Sequence, residues 1–114
     1  MIKDRTNSEH YFWGNGCQGW RLNDGEELSV IEETMSPGTA EKRHYHQVAF
    51  QFFYILKGTA VFEVENKEFT VNALQGFSIA PGTIHLIKNM TGDELHFLVI
   101  SQPTTKNDRL TIDI

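Results

Sequence analysis

From residue 28 onward the apolar positions fall in short runs divided by turn residues, and no stretch of ten or more keeps a period of 3.6. The runs read as strands. One covers 28–35 and is closed by Ser36-Pro37-Gly38; another covers 50–56 (FQFFYIL), is dense in aromatic and branched side chains, and is closed by Lys57-Gly58. Strands at 60–65 and 69–71 form a hairpin about a tight turn at Asn66-Lys67. Strands at 77–80, halted by Pro81-Gly82, at 83–88, and at 96–101, halted by Gln102-Pro103, complete the set. Residues 1 to about 25 lack this pattern: Gly14, Gly16, Gly19 and Gly25 punctuate Tyr11-Phe12-Trp13 and Trp20, and an irregular N-terminal arm is expected there.

Short strands at close spacing, with Gly or Pro between them and no long helix, predict an all-β sandwich or barrel. The expectation is one domain over 1–114, with the arm at 1–25, a barrel core at 28–101 and a C-terminal strand or tail at 103–114. Eight Phe, three Tyr and two Trp suit a barrel interior or an interface. Within the 50–56 run, Gln51, Phe53 and Ile55 share one face and Phe52, Tyr54 and Leu56 the other. Two largely apolar faces on one strand imply cover on both sides, the second from another sheet or another subunit. A homodimer is therefore expected.

Charge and cysteine content remove several function classes. Ten basic against 15 acidic residues give a net charge of −5, and no basic run offers a footprint for nucleic acid or an anionic membrane. Cys17 is the lone cysteine, which rules out an intrachain disulfide and any zinc site of several thiolates. With Trp13 and Trp20 it is expected to plug a barrel end or an interface. Met1-Ile2-Lys3-Asp4-Arg5 carries charge where a signal peptide is apolar, and no apolar run approaches membrane-spanning length. A cytoplasmic protein is expected.

The candidate chemistry lies in histidines. His44-Tyr45-His46 sits on an extended stretch, where residues two apart point to one face, so both imidazoles can reach a single point. If 47–49 form a tight connection, Gln51 returns to that face, and His85, after the Pro81-Gly82 turn, comes alongside when the sheet closes. Three imidazoles and an amide oxygen form a nitrogen-rich site suited to a divalent Fe, Ni, Zn, Mn or Cu ion. His96 is open to two readings, a proton-transfer residue near the site or a hydrogen-bonded strand-end histidine. Lys42 shares the parity of His44 and His46 and is open to two readings, a group at the pocket mouth that holds an anionic substrate or, the favoured one, a solvated lysine; Arg43 points away.

Gly38-x5-His44-x-His46-x4-Gln51-x6-Gly58 resembles the first motif of the cupins, and Gly82-x2-His85-x3-Asn89 resembles the end of their second. Two departures stand out. Gln51 occupies the position of an acidic ligand, and in the second motif Ala80 and Leu74 replace a proline and a glycine. The resemblance implies a small RmlC-like jelly-roll barrel, with His44, His46, Gln51 and His85 at the metal-ligand positions and Gly58 and Gly82 at turns. It implies much less about activity, because this fold carries many chemistries.

Gln51 can neither ionise nor accept a proton near neutral pH, so the site keeps the full charge of its metal and favours Lewis-acid work. Proton transfer then falls to metal-bound hydroxide, an unligated histidine or a tyrosine. The leading expectation is a metal-binding cupin enzyme of dioxygenase, isomerase or lyase type, acting on a small oxygen-bearing organic substrate. The alternatives are a non-enzymatic module that binds or senses a small ligand, and a metal-free sugar isomerase or epimerase.

Overall fold

The computed structural model describes residues 1–112. After a 3-10 turn at Arg5–Asn7 the chain is built from strands: β1 (Glu9–Trp13), β2 (Cys17–Asp24), β3 (Ser29–Met35), β4 (His44–Tyr45), β5 (Phe50–Lys57) and β6 (Thr59–Val64). It continues with β7 (Lys67–Asn72), β8 (Gly76–Ile79), β9 (His85–Lys88), β10 (Leu95–Gln102) and β11 (Leu110–Thr111). They form two sheets, one in the order β1-β2-β3-β10-β5-β8 and one in the order β11-β4-β9-β6-β7. Every pairing is antiparallel. The sheets face each other as a jelly roll, the all-β architecture that the short, turn-divided runs imply.

The interior follows strand parity. On β5, Gln51, Phe53 and Ile55 point inward and are buried, and on β10 Phe97, Val99 and Ser101 do the same. Aromatic rings fill much of the space between the sheets: Phe62 stacks on Phe77 with centroids 4.7 Å apart, and Phe53 meets Phe62 edge-on at 5.0 Å. The outward face of β5 is less covered than its composition suggested. Phe50 and Phe52 stay 41% and 37% exposed on this chain.

Two local expectations are corrected. The first 25 residues are not an irregular arm, because β1 and β2 form a hairpin that extends the larger sheet through β3. The run is short and Gly-rich, so its pairing comes from tertiary partners. Gly19 leaves room for the ring of Tyr11, whose nearest atom lies 2.2 Å from where a Cβ would stand. The hairpin turn after β6 falls one residue earlier than Asn66-Lys67. Glu65 and Asn66 both take positive φ (48° and 69°), and Val64 faces Lys67, as a two-residue type I′ turn requires. The C-terminal stretch does contribute a short strand, β11 against β4, while positions 113–114 lie outside the described residues.

Candidate metal centre

The site forms where the chain crosses between sheets. His44, on β4, pairs directly across the ladder with His85, the first residue of β9. His46 follows β4 by one residue on the same face as His44, and the backbone carbonyl of His46 accepts from Gly82 N at 2.6 Å. Gly82 takes φ +79°, a conformation that glycine adopts without strain, and this turn sets His85 against the His44 strand. All three imidazoles are buried, at 2%, 4% and 1% exposure for His44, His46 and His85. Their ligand atoms lie within 4.8 Å of one another, near enough for small side-chain rotations to bring them onto one ion.

Two of the rings are oriented by the same local device. His44 Nδ1 donates to the carbonyl of Lys42 at 2.7 Å, and His85 Nδ1 donates to that of Thr83 at 2.8 Å, each reaching two residues back. A proton held at Nδ1 leaves Nε2 of the neutral ring as a lone pair. Burial keeps these rings neutral: it drives His44 down to about 3 and His46 to about 4 from the ordinary 6.5, and it lowers His85 as well. Neutral imidazole is the form that binds metal.

Gln51 on β5 lines the same cavity as His44 and His46. It is 6% exposed, and its Nε2 donates to Ser101 Oγ at 3.1 Å across the β5–β10 ladder. Among the described residues two buried side-chain polar atoms lack a hydrogen-bond partner, His85 Nε2 and Gln51 Oε1. Buried polar atoms are seldom left unpaired, since that costs roughly 1–3 kcal/mol each. Both belong to the candidate ligand set and both are electron-pair donors, so the residues present fit a metal ion.

The cavity beside this cluster has a volume of about 460 Å³, enough for a small organic molecule. Its far wall holds groups that the sequence reading did not single out. Tyr11 from β1 donates its hydroxyl to Glu33 Oε2 at 2.6 Å, and Glu33 on β3 points inward beside Ile31 and Glu41. Burial pushes the Glu33 carboxyl up to about 7 against the lowering effect of the Tyr11 hydrogen bond, and the Tyr11 phenol is itself driven upward by burial. Burial raises Glu41 too, although the Arg109 guanidinium, with Nη1 3.7 Å from Glu41 Oε2, opposes this. Lys42 stands at the cavity edge and is exposed, as a solvated lysine would be. The alternation of β3 places Glu33 on the inner face, but its role depends on Tyr11 and Arg109, which lie far off along the chain.

Other residues resolve into structural roles. His96 faces outward, where Nε2 lies 2.5 Å from Glu32 Oε2 and Arg5 joins the cluster, so the strand-end reading holds. Arg43 pairs with Glu63, away from the cavity. Asn89 is fully buried: its Nδ2 donates to the carbonyls of Met35 and Asp93, and its Oδ1 accepts from Thr91, tying the loops after β3 and β9. Cys17 is buried and close to Thr39. No helix among the described residues is long and apolar enough to cross a membrane.

A two-sheet antiparallel barrel with a buried cluster of three histidines beside a cavity is a jelly-roll protein with a group that could hold a metal ion. The sequence profile of the cupin domain matches residues 31–101, well over half of the chain, and the chain belongs to the cupin family. Cupins commonly bind a transition metal, in keeping with this cluster. An uncharacterized protein of Methanocaldococcus jannaschii is 29% identical over 79 residues, which cover 69% of this chain and 63% of that protein. The chain thus spans a little under two thirds of that relative's length. Among solved structures, a predicted oxalate decarboxylase from Thermotoga maritima superposes with a TM-score of 0.83 at 19% identity, covering 91% of this chain and 100% of that one. A cupin-superfamily sugar phosphate isomerase from Silicibacter pomeroyi gives 0.79 at 21% identity, covering 91% and 76%. KdgF from a Halomonas species gives 0.80 at 16%, covering 94% and 99%. At these identities the likeness establishes the fold.

Proposed function

We propose that this cupin holds one divalent transition metal through His44, His46, His85 and Gln51 Oε1, and that it is an enzyme acting on a small, oxygen-bearing organic anion. The observation that carries this is the pair of buried atoms without partners, His85 Nε2 and Gln51 Oε1, within the one candidate ligand set. When bound, the metal supplies Lewis acidity toward a carbonyl or carboxylate oxygen. Three neutral imidazoles and an amide leave its charge uncompensated, and Lys42 adds positive charge at the cavity edge, which favours an anionic substrate; Arg109 there is paired with Glu41.

Gln51 cannot move a proton, but Glu33 can. A carboxyl held near 7 accepts and returns protons at neutral pH, and the Tyr11 hydroxyl fixes its orientation. This favours the isomerase and lyase branches, which transfer a proton, over dioxygenation. One feature supports a metal-free epimerase-like reading instead: the Tyr11–Glu33 pair lines the same cavity and is joined by a direct hydrogen bond that needs no ion.

The test couples metal content with solvent exchange. Protein purified without a histidine tag is assayed for bound metal, then given small carbonyl and hydroxy acids and sugar phosphates in deuterated water, with incorporation followed by NMR. The expected result is near-stoichiometric metal and exchange into at least one compound. Chelation should abolish that exchange, and Glu33→Gln should cut it at least 100-fold with metal retained, in line with the usual worth of a general base. Protein that stays metal-free under varied supply contradicts the proposal, and exchange that survives complete chelation favours the metal-free reading.

A further inference from the structure

The chain changes sheets between His46 and Gln51. β4 lies in the smaller sheet and β5 in the larger one, so residues 47–49 form a crossover and not a hairpin. The relative placement of His46 and Gln51 depends on how this crossover is held. Its three consecutive amides converge on one side chain from the far end of the chain. Gln47 N donates to Asp108 Oδ1 at 2.8 Å, and Val48 N and Ala49 N donate to Asp108 Oδ2 at 3.1 and 3.0 Å. Amides aligned in this way form a concave, positively polarised nest whose natural occupant is an anion. Bonds to a carboxylate are roughly twice as strong as neutral ones.

Asp108 is itself anchored on both sides. Its own N–H donates to Thr105 O at 3.0 Å, and β11, just after it, pairs Leu110 with Tyr45 and Thr111 with His44. Ile112 N then donates to Arg43 O at 2.8 Å. Earlier in the segment, Thr104 N donates to Glu26 O at 2.8 Å and Lys106 pairs with Asp24 on the larger sheet. The segment from 104 to 112 is therefore a strap that runs from the larger sheet to the histidine strand of the smaller one, with Thr105 and Arg109 on the cavity wall.

We infer that Asp108 is a positioning residue for the metal centre: its carboxylate fixes the 47–49 crossover so that His46 and Gln51 face one ion. The inference rests on the metal reading above. The flanking strands do not pair with each other across this crossover, because they belong to different sheets.

The test compares Asp108→Asn with Lys106→Ala, an exposed neighbour on the same strap that makes no bond to the crossover and does not line the cavity. Affinity for Zn(II) or Co(II) is measured by competition with a chromophoric chelator, alongside the melting temperature of the metal-free protein and the visible spectrum of the Co(II) form. Asp108→Asn should weaken metal binding 10- to 100-fold, the usual range for groups that orient ligands. Its Co(II) spectrum should shift in the same direction as that of Gln51→Ala, and Lys106→Ala should match wild type in both readouts. If metal-free Asp108→Asn does not fold, the variant is refolded with metal and its rate of release to excess chelator is followed, with release at least tenfold faster expected. Wild-type affinity and spectrum in Asp108→Asn, or wild-type release from the refolded form, overturn the inference while leaving the metal reading intact. Wild-type protein that binds neither ion removes both.

Discussion

Burial keeps every imidazole of the cluster neutral, and for His44 and His85 a backbone carbonyl also takes the Nδ1 proton. The same burial makes the protein acid-sensitive. In the unfolded chain a histidine binds its proton below about 6.5, whereas the folded His44 and His46 resist until about 3 and 4. Stability from this source is whole above pH 6.5 and is lost as pH falls from there to the folded values, at up to about 1.4 kcal/mol per pH unit for each ring. Thermal melts of the metal-free protein from pH 7.5 to 4 should show a steep decline beginning near 6.5, and metal loading should move that decline to lower pH. A flat profile over this range contradicts the buried, neutral state of the rings. The pairing of residues 44 and 46 on one face was legible because strand parity is a local rule. The Glu33–Tyr11 pair was not, since nothing near Glu33 announces a phenol arriving from β1.

At the scale of elements, the strands with strong alternation or dense branched and aromatic content were readable, and β5 is the clearest case. Its inward Gln51, Phe53 and Ile55 follow directly from parity. The β1–β2 hairpin escaped because its apolar residues are few and its glycines read as interruptions, whereas Gly19 admits the Tyr11 ring. Turn glycines were better signals. Gly58, between β5 and β6, takes φ +91°, and a Cβ there would sit 3.1 Å from the Glu94 carbonyl oxygen. Left-handed backbone costs an L-residue about 1–2 kcal/mol before any clash is counted. Gly58→Ala should therefore lower the melting temperature by several degrees. Chemical denaturation should report a loss of at least about 1 kcal/mol, with metal stoichiometry unchanged, because this turn lies outside the ligand set. A variant as stable as wild type contradicts the strained geometry assigned to the turn.

For the whole molecule, the barrel gathers into one cavity what the chain keeps apart: a phenol from β1, a carboxylate from β3, imidazoles from β4, and a strap near the C-terminus that carries Asp108 and Arg109. The histidines could be found from spacing because two of them stand two apart on one extended stretch and the third follows a recognisable turn. The strap could not, because its partners lie about sixty residues away along the chain. The central claim is that His44, His46, His85 and Gln51 converge on one ion, and diffraction from metal-loaded crystals at the metal absorption edge tests it most directly. The account predicts a single anomalous peak about 2.0–2.2 Å from Nε2 of each of the three histidines, with Gln51 Oε1 also bonded to it. A peak elsewhere, or a bound ion that leaves any of the three rings out of its coordination sphere, contradicts it.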